Sequence, residues 1–231
     1  MVSIKSIFIT LLFLTGAIIF FGLSGIDVWV QSHFYNPSTN LWIVTKDETV
    51  LKFLFYDGIK FAIIIFNVLL LFVLIFGYKK PLIKQYRRAL IIIVASVIFV
   101  PLLVGSLKDV TNMPCPKNLV RFGGDHPDTC VWKRYSIELC KKNKIKCWPA
   151  GHASGGFALL SLVFLFGSFK RRAIAATVAM SIGWSMGIYK MLIGDHFLSH
   201  TIITMIMAWL IILCIVRLVD YIDSKKGFLA R

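Results

Sequence analysis

The sequence predicts an all-α protein: a six-span integral-membrane helical bundle with a cysteine-containing loop on its outer (periplasmic) face. Three observations carry this. Apolar residues make up 58% of the 231 residues, and the mean hydropathy is +0.78, beyond the range of soluble domains. Six uncharged runs, at 6–26, 61–78, 89–107, 153–169, 173–189 and 197–216, are each 17 to 21 residues long. That is enough for a helix to cross a bilayer core. The charges fall between these runs, in sets that differ from one side to the other.

The first run, 6–26, is longer than a signal-peptide core and is followed by no small-x-small cleavage pattern, so it reads as a retained helix. The next segment, 27–37, mixes aromatic and polar residues. It reads as an interfacial stretch on the outer surface, with His33 packing there. Run 61–78 ends at Lys79 and Lys80, and a short basic connector with Lys84, Arg87 and Arg88 leads to run 89–107. Runs 153–169 and 173–189 form a tight hairpin through Lys170, Arg171 and Arg172. Run 197–216 and a basic tail finish the chain, which shows no internal repeat and reads as one membrane domain over 1–231.

Charge sets the orientation. The net charge is +15. No nucleic-acid motif or soluble basic domain accompanies it, so it reads as topology and lipid attraction. Lys5, the two short connectors and the tail hold 13 of the 26 basic residues but only Asp220 and Asp223 of the 11 acids. Dense basic charge in short connectors marks the cytoplasmic face. The long loop 108–151 then lies outside, and it holds Cys115, Cys130, Cys140 and Cys147. Four thiols in an exported loop predict two disulfides, and Cys115–Cys147 with Cys130–Cys140 is the expected pairing. Their spacings contain no Cys-x-x-Cys pair, which places zinc and thiol-redox chemistry behind disulfides.

The chemistry-bearing residues sit at the odd-to-even junctions. Lys108 ends the third run, His152 opens the fourth, and Lys190, His196 and His200 join the fifth to the sixth. In a bundle these junctions share one face, so residues 44 apart in sequence can converge. Pro149 and Gly151 break the chain just before a helix start whose amides favour anions. Ionisable groups at span ends are functional candidates. Two lysines, two histidines and a helix N-terminus suit a phosphate: one histidine attacks phosphorus and the other protonates the leaving oxygen.

At these residues the chain resembles the type-2 phosphatidic acid phosphatase superfamily of membrane lipid phosphatases. The family pattern is Lys-x6-Arg-Pro, then Pro-Ser-Gly-His, then Ser-Arg-x5-His-x3-Asp. Here it is Lys108-x6-Cys115-Pro116, then Pro149-Ala150-Gly151-His152, then Tyr189-Lys190-x5-His196-x3-His200. The spacing is intact in all three blocks, and the likeness leans toward the bacterial lipid A phosphatases, including the His-Phe-Tyr-Asn segment at 33–36.

The resemblance implies a phosphorylated membrane lipid as substrate, at the periplasmic face of a bacterial inner membrane, with no metal or cofactor. It implies His196 as nucleophile, His152 as general acid, and Lys108, Lys190 and the Gly151 amide as phosphate holders. Four positions depart from the pattern: Cys115 and Lys190 for arginine, Ala150 for serine, His200 for aspartate. Ser154 and Arg121 are candidate replacements for the lost phosphate contacts, and His200 for the lost acceptor beside His196. An anionic-lipid binder without turnover and a phosphotransferase between lipids are the alternative functions.

Overall fold

The computed structural model describes residues 2–46, 48–111, 113–128 and 146–226. Helix α1 (Ile4–Ser24) starts at Ser3, whose side chain accepts from the Lys5 amide. It ends at Gly25, which adopts a left-handed φ of 66° that glycine takes without steric cost. The turn redirects the chain into α2 (Ile26–Ser32), a short helix pinned to the far end of the sequence. Asp27 Oδ1 accepts from the Ser199 amide at 2.8 Å, and buried Gln31 donates to the Met191 carbonyl at 2.7 Å. A two-residue hairpin follows, β1 (Tyr35–Asn36) antiparallel to β2 (Leu41–Trp42), with Tyr35 opposite Trp42. Tyr35, Trp42 and Phe122 pack ring against ring.

Helix α3 (Thr49–Lys52) runs through a π-helical turn, Phe53–Asp57, into α4 (Gly58–Phe76). Helix α5 (Pro81–Thr111) is 31 residues long and carries Pro101 inside it. Helix α6 (Gly151–Ala158) tightens into a 3-10 helix over Leu159–Leu165. Helix α7 (Phe169–Leu192) is capped by the Ser168 side chain on the Arg171 amide, and α8 (Leu198–Lys226) closes the described fold.

Among the described residues, four helices are long and apolar enough to cross a membrane: Ile4–Ser24, Thr49–Phe76, Pro81–Lys108 and Leu198–Lys225. The two remaining runs behave differently. Run 153–169 changes helix type part-way and stops at Phe166, whose carbonyl takes a hydrogen bond from Arg172 Nε at 2.7 Å. Run 173–189 lies within α7, which opens on three cations and is rich in alanine and glycine. The physical reason is position. The α6 segment is the centre of the bundle, packed against α5, α7 and α8, with Phe157 fully buried. By contrast α1 and α4 turn Phe8, Phe13, Ile65 and Phe72 outward, as lipid-facing helices do.

Close helix approach comes from small residues. A Cβ on Gly156 of α6 would lie 2.6 Å from the Gly183 Cα of α7. Arg88 near the start of α5 pairs with Asp220 near the end of α8 at 2.6 Å. That antiparallel pairing sets the Lys108 end of α5 beside the start of α8. A Cys115–Cys147 disulfide joins the segment after α5 to the segment before α6, with Cα atoms 5.1 Å apart. Cys130 and Cys140 lie outside the described residues.

Candidate active site

The three sequence blocks meet at one end of the bundle. Gly151 opens α6 directly against Lys108: a Cβ built on it would stand 3.0 Å from Lys108 Cε and 3.4 Å from Nζ. The rings of His152 and His196 have centroids 5.8 Å apart. The next ring inward is His200, whose Nδ1 lies 3.3 Å from His196 Nδ1. His196 and His200 are each 2% exposed.

The two Nδ1 atoms face each other, so between two neutral imidazoles one donates and the other accepts; when His196 donates, its Nε2 carries a lone pair. That Nε2 is buried with no hydrogen-bond partner among the described residues. Burial first, then the nearby His200, Lys108, His152 and Lys190, holds His196 well below the ordinary histidine value. It is therefore neutral at neutral pH, the form a nucleophile needs.

A cavity of about 440 Å³ opens beside His152. Its polar lining is Tyr56, Lys60, Lys108 and His152, and its apolar lining includes Ile63, Val97, Pro101 and Met186. His152 stands at this cavity, and His196 lies behind it. Tyr56 belongs to the π-helical turn, a feature frequent at functional sites. Its ring meets His152 edge-on at 4.9 Å and lies 4.6 Å from Lys190 Nζ.

Lys190, 8% exposed, is held by Asp195. Its Nζ is 2.9 Å from Asp195 Oδ2, and Lys117 Nζ is 2.6 Å from Oδ1. Burial would raise the Asp195 carboxyl, but Lys190 and Lys117 outweigh it and hold it below the usual carboxylate range. Lys117 follows Cys115, so the lost family arginine leaves a cation two residues on, here aimed at Asp195.

The other predicted residues are placed as follows. The Gly151 amide donates to the Pro149 carbonyl at 2.9 Å, so it is spent locally. The Ala150 amide is taken by Thr204 Oγ1 at 2.8 Å, and Thr204 in turn donates to the His200 carbonyl at 2.7 Å. The amides of the first α6 turn beyond these, His152 and Ala153, are the ones turned to no backbone carbonyl among the described residues. Ser154 is buried and donates to the Gly151 carbonyl at 2.6 Å, closing the first turn of α6. Arg121 is not brought to the site. It pairs with Asp128 at 2.7 Å and lines a separate hollow with Trp29, Tyr35 and Phe122.

Tyr56, Lys60, Asp195 and Thr204 are in the site without having been expected. Asp195 adjoins His196, and a carboxylate beside a buried histidine was the available signal. Tyr56 sat in an aromatic interfacial run with no spacing to mark it.

The sequence model of the PAP2 superfamily matches residues 89–224, more than half of the chain and all three blocks. The chain belongs to the PAP2 superfamily. It is also 28% identical over 187 residues to the lipid A 4'-phosphatase of Francisella tularensis subsp. novicida (strain U112), covering 80% of this chain and 82% of that protein. No solved structure matches the chain. The PAP2 match and this likeness make the protein a lipid phosphatase, with several helices long and apolar enough to cross a membrane.

Proposed function

We propose that this PAP2 protein removes a phosphate group from a lipid A-type lipid at the periplasmic face of a bacterial inner membrane, through a phosphohistidine on His196. The observation that carries the reading is a juxtaposition: His152 lines the mainly apolar cavity, and its ring lies 5.8 Å from that of His196, whose buried Nε2 has no partner among the described residues. A lipid lying in the cavity presents its phosphate inward and its own oxygen toward His152. The relative's name supports lipid A as the substrate class. Six crossings with an outer active site agree with the basic connectors at the opposite end of the helices.

The steps follow from these positions. His196 Nε2 gives its lone pair to phosphorus, and the bond from phosphorus to the lipid oxygen breaks. His152, protonated when the phosphate charge is present beside it, gives its proton to that oxygen. Lys108, Lys190 and the first-turn amides of α6 neutralise the phosphoryl oxygens. His152, now neutral, takes a proton from water as water attacks the phosphohistidine. Phosphate leaves and His196 is restored.

Purified protein in detergent is the test. Lipid A-type and undecaprenyl diphosphate substrates are offered separately, with phosphate release and product mass read out. Release from the lipid A-type substrate, with a radiolabelled protein adduct absent in His196→Gln, is expected. Binding of either lipid without phosphate release would mean a non-catalytic binder. Movement of labelled phosphate to a second lipid would mean a transferase.

A further inference from the structure

We infer that Tyr56 is a positioning residue for the general acid: its ring, presented by the π-helical turn ahead of α4, fixes the imidazole of His152 where no hydrogen bond does. This rests on the reading of His152 as the group that protonates the leaving oxygen.

A histidine that transfers protons is commonly oriented through its second ring nitrogen, which hydrogen-bonds a carboxylate or a backbone carbonyl. His152 is built differently. Its Nδ1 is buried and has no hydrogen-bond partner among the described residues. Its ring contacts are aromatic. The Tyr56 ring stands against it with centroids 4.9 Å apart and planes at 84°, the T-shaped geometry that aromatic pairs favour. The His196 ring is farther off, at 5.8 Å. Tyr56 and His152 both line the cavity, so the contact sits where the substrate arrives.

Tyr56 is itself held twice. Lys190 Nζ lies over its ring at 4.6 Å, a cation–π contact, and Asp195 fixes Lys190 at 2.9 Å. The backbone supplies the second hold. The turn Phe53–Asp57 is closed by the Gly58 amide donating to the Phe53 carbonyl. Position 58 suits glycine, because a Cβ there would stand 2.8 Å from that same oxygen. The turn leaves Tyr56 on the face continued by Lys60, Ile63 and Ile64, which line the same cavity at helical spacing. The π turn, the glycine that permits it and the lysine over the ring therefore act together on one imidazole.

Two substrates that differ in the leaving oxygen test this on the full-length protein in detergent. One is a lipid A-type phosphate, whose alcohol oxygen must be protonated as it departs. The other is an alkyl-nitrophenyl phosphate. Its nitrophenolate leaves as a stable anion with the electron pair of the broken P–O bond and needs no proton. Turnover and KM are measured on both for wild type, Tyr56→Leu, Tyr56→Phe and His152→Ala. The kcat loss of Tyr56→Leu on the lipid should exceed its loss on the aryl ester by roughly tenfold, with KM on the lipid changed by less than about threefold. Any loss common to both substrates reports Lys190, which holds phosphate in each. Tyr56→Phe keeps the ring and should bring the lipid rate back to within about threefold of wild type. Equal losses of Tyr56→Leu on the two substrates would make Tyr56 ordinary packing and overturn the inference. A Tyr56→Phe protein as slow as Tyr56→Leu would assign the effect to the hydroxyl and overturn it too. If Tyr56→Leu fails to fold, Tyr56→Met gives the same comparison. His152→Ala tests the underlying reading separately. It should lose about a hundredfold or more on the lipid and far less on the aryl ester; equal losses there would sink His152 as the acid, whatever Tyr56→Leu shows.

Discussion

Asp195 grips Lys190 at 2.9 Å beside His196, the proposed nucleophile. This carboxylate competes with phosphate for the same ammonium. Asp195→Asn should therefore tighten inhibition by inorganic phosphate, by about tenfold or about 1.4 kcal/mol, and slow kcat through product release. The folded-state value of Asp195 is depressed. Its contribution to stability is then fully present above the ordinary aspartate value of about 4 and is lost only as pH falls through the lower folded value. Phosphate inhibition measured for both proteins between pH 5 and 8 decides it; unchanged inhibition in Asp195→Asn would refute the competition.

His200 tests the variant motif itself. His200→Ala should lower turnover by about ten- to a hundredfold while lipid binding persists, because it removes orientation and leaves the nucleophile. His200→Asp should keep or raise turnover. Steady-state kinetics on the three proteins suffice, and equal activity in all of them would leave His200 as packing for α8.

Neighbouring glycines of α6 should respond differently. A Cβ at Gly156 meets backbone atoms of Gly183, which cannot swing away, whereas at Gly155 the nearest atom is Ile63 Cδ1 at 4.0 Å. Gly156→Ala should destabilise the protein by about 1–3 kcal/mol. Gly155→Ala should leave stability within about 1 kcal/mol, or raise it through helix propensity. Thermal unfolding in detergent distinguishes them, and similar midpoints for both variants would contradict the packing argument.

Asp27 makes folding stability depend on mild acidity. Burial raises its carboxyl to about 6, against the hydrogen bond from Ser199. A carboxyl with a raised folded value binds its proton more tightly when folded. Its cost is complete above about pH 6 and is relieved as pH falls toward the ordinary value of about 4. Asp27→Asn retains an acceptor for the Ser199 amide and should flatten that rise. Asp27→Ala loses the acceptor and should cost about 1 kcal/mol, as other lost caps do. Unfolding midpoints at pH 4.5 and 7.5 report both effects, and a slope unaltered in Asp27→Asn would assign the pH dependence to other groups.

The sequence by itself determined the helical class and the three blocks that meet. Those depend on local quantities: run length, charge between runs, and spacing within a block. It also named both partners of the Cys115–Cys147 bridge. Tertiary structure alone decided which groups complete the site. Tyr56 and Lys60 come from a helix with no motif, and Asp195 gains its role only because Lys117 folds across to it from the segment after α5. It also decided what to withhold. The Gly151 amide is spent on Pro149, Ser154 on its own helix turn, and Arg121 on Asp128, since a polar group in a buried setting takes the nearest partner.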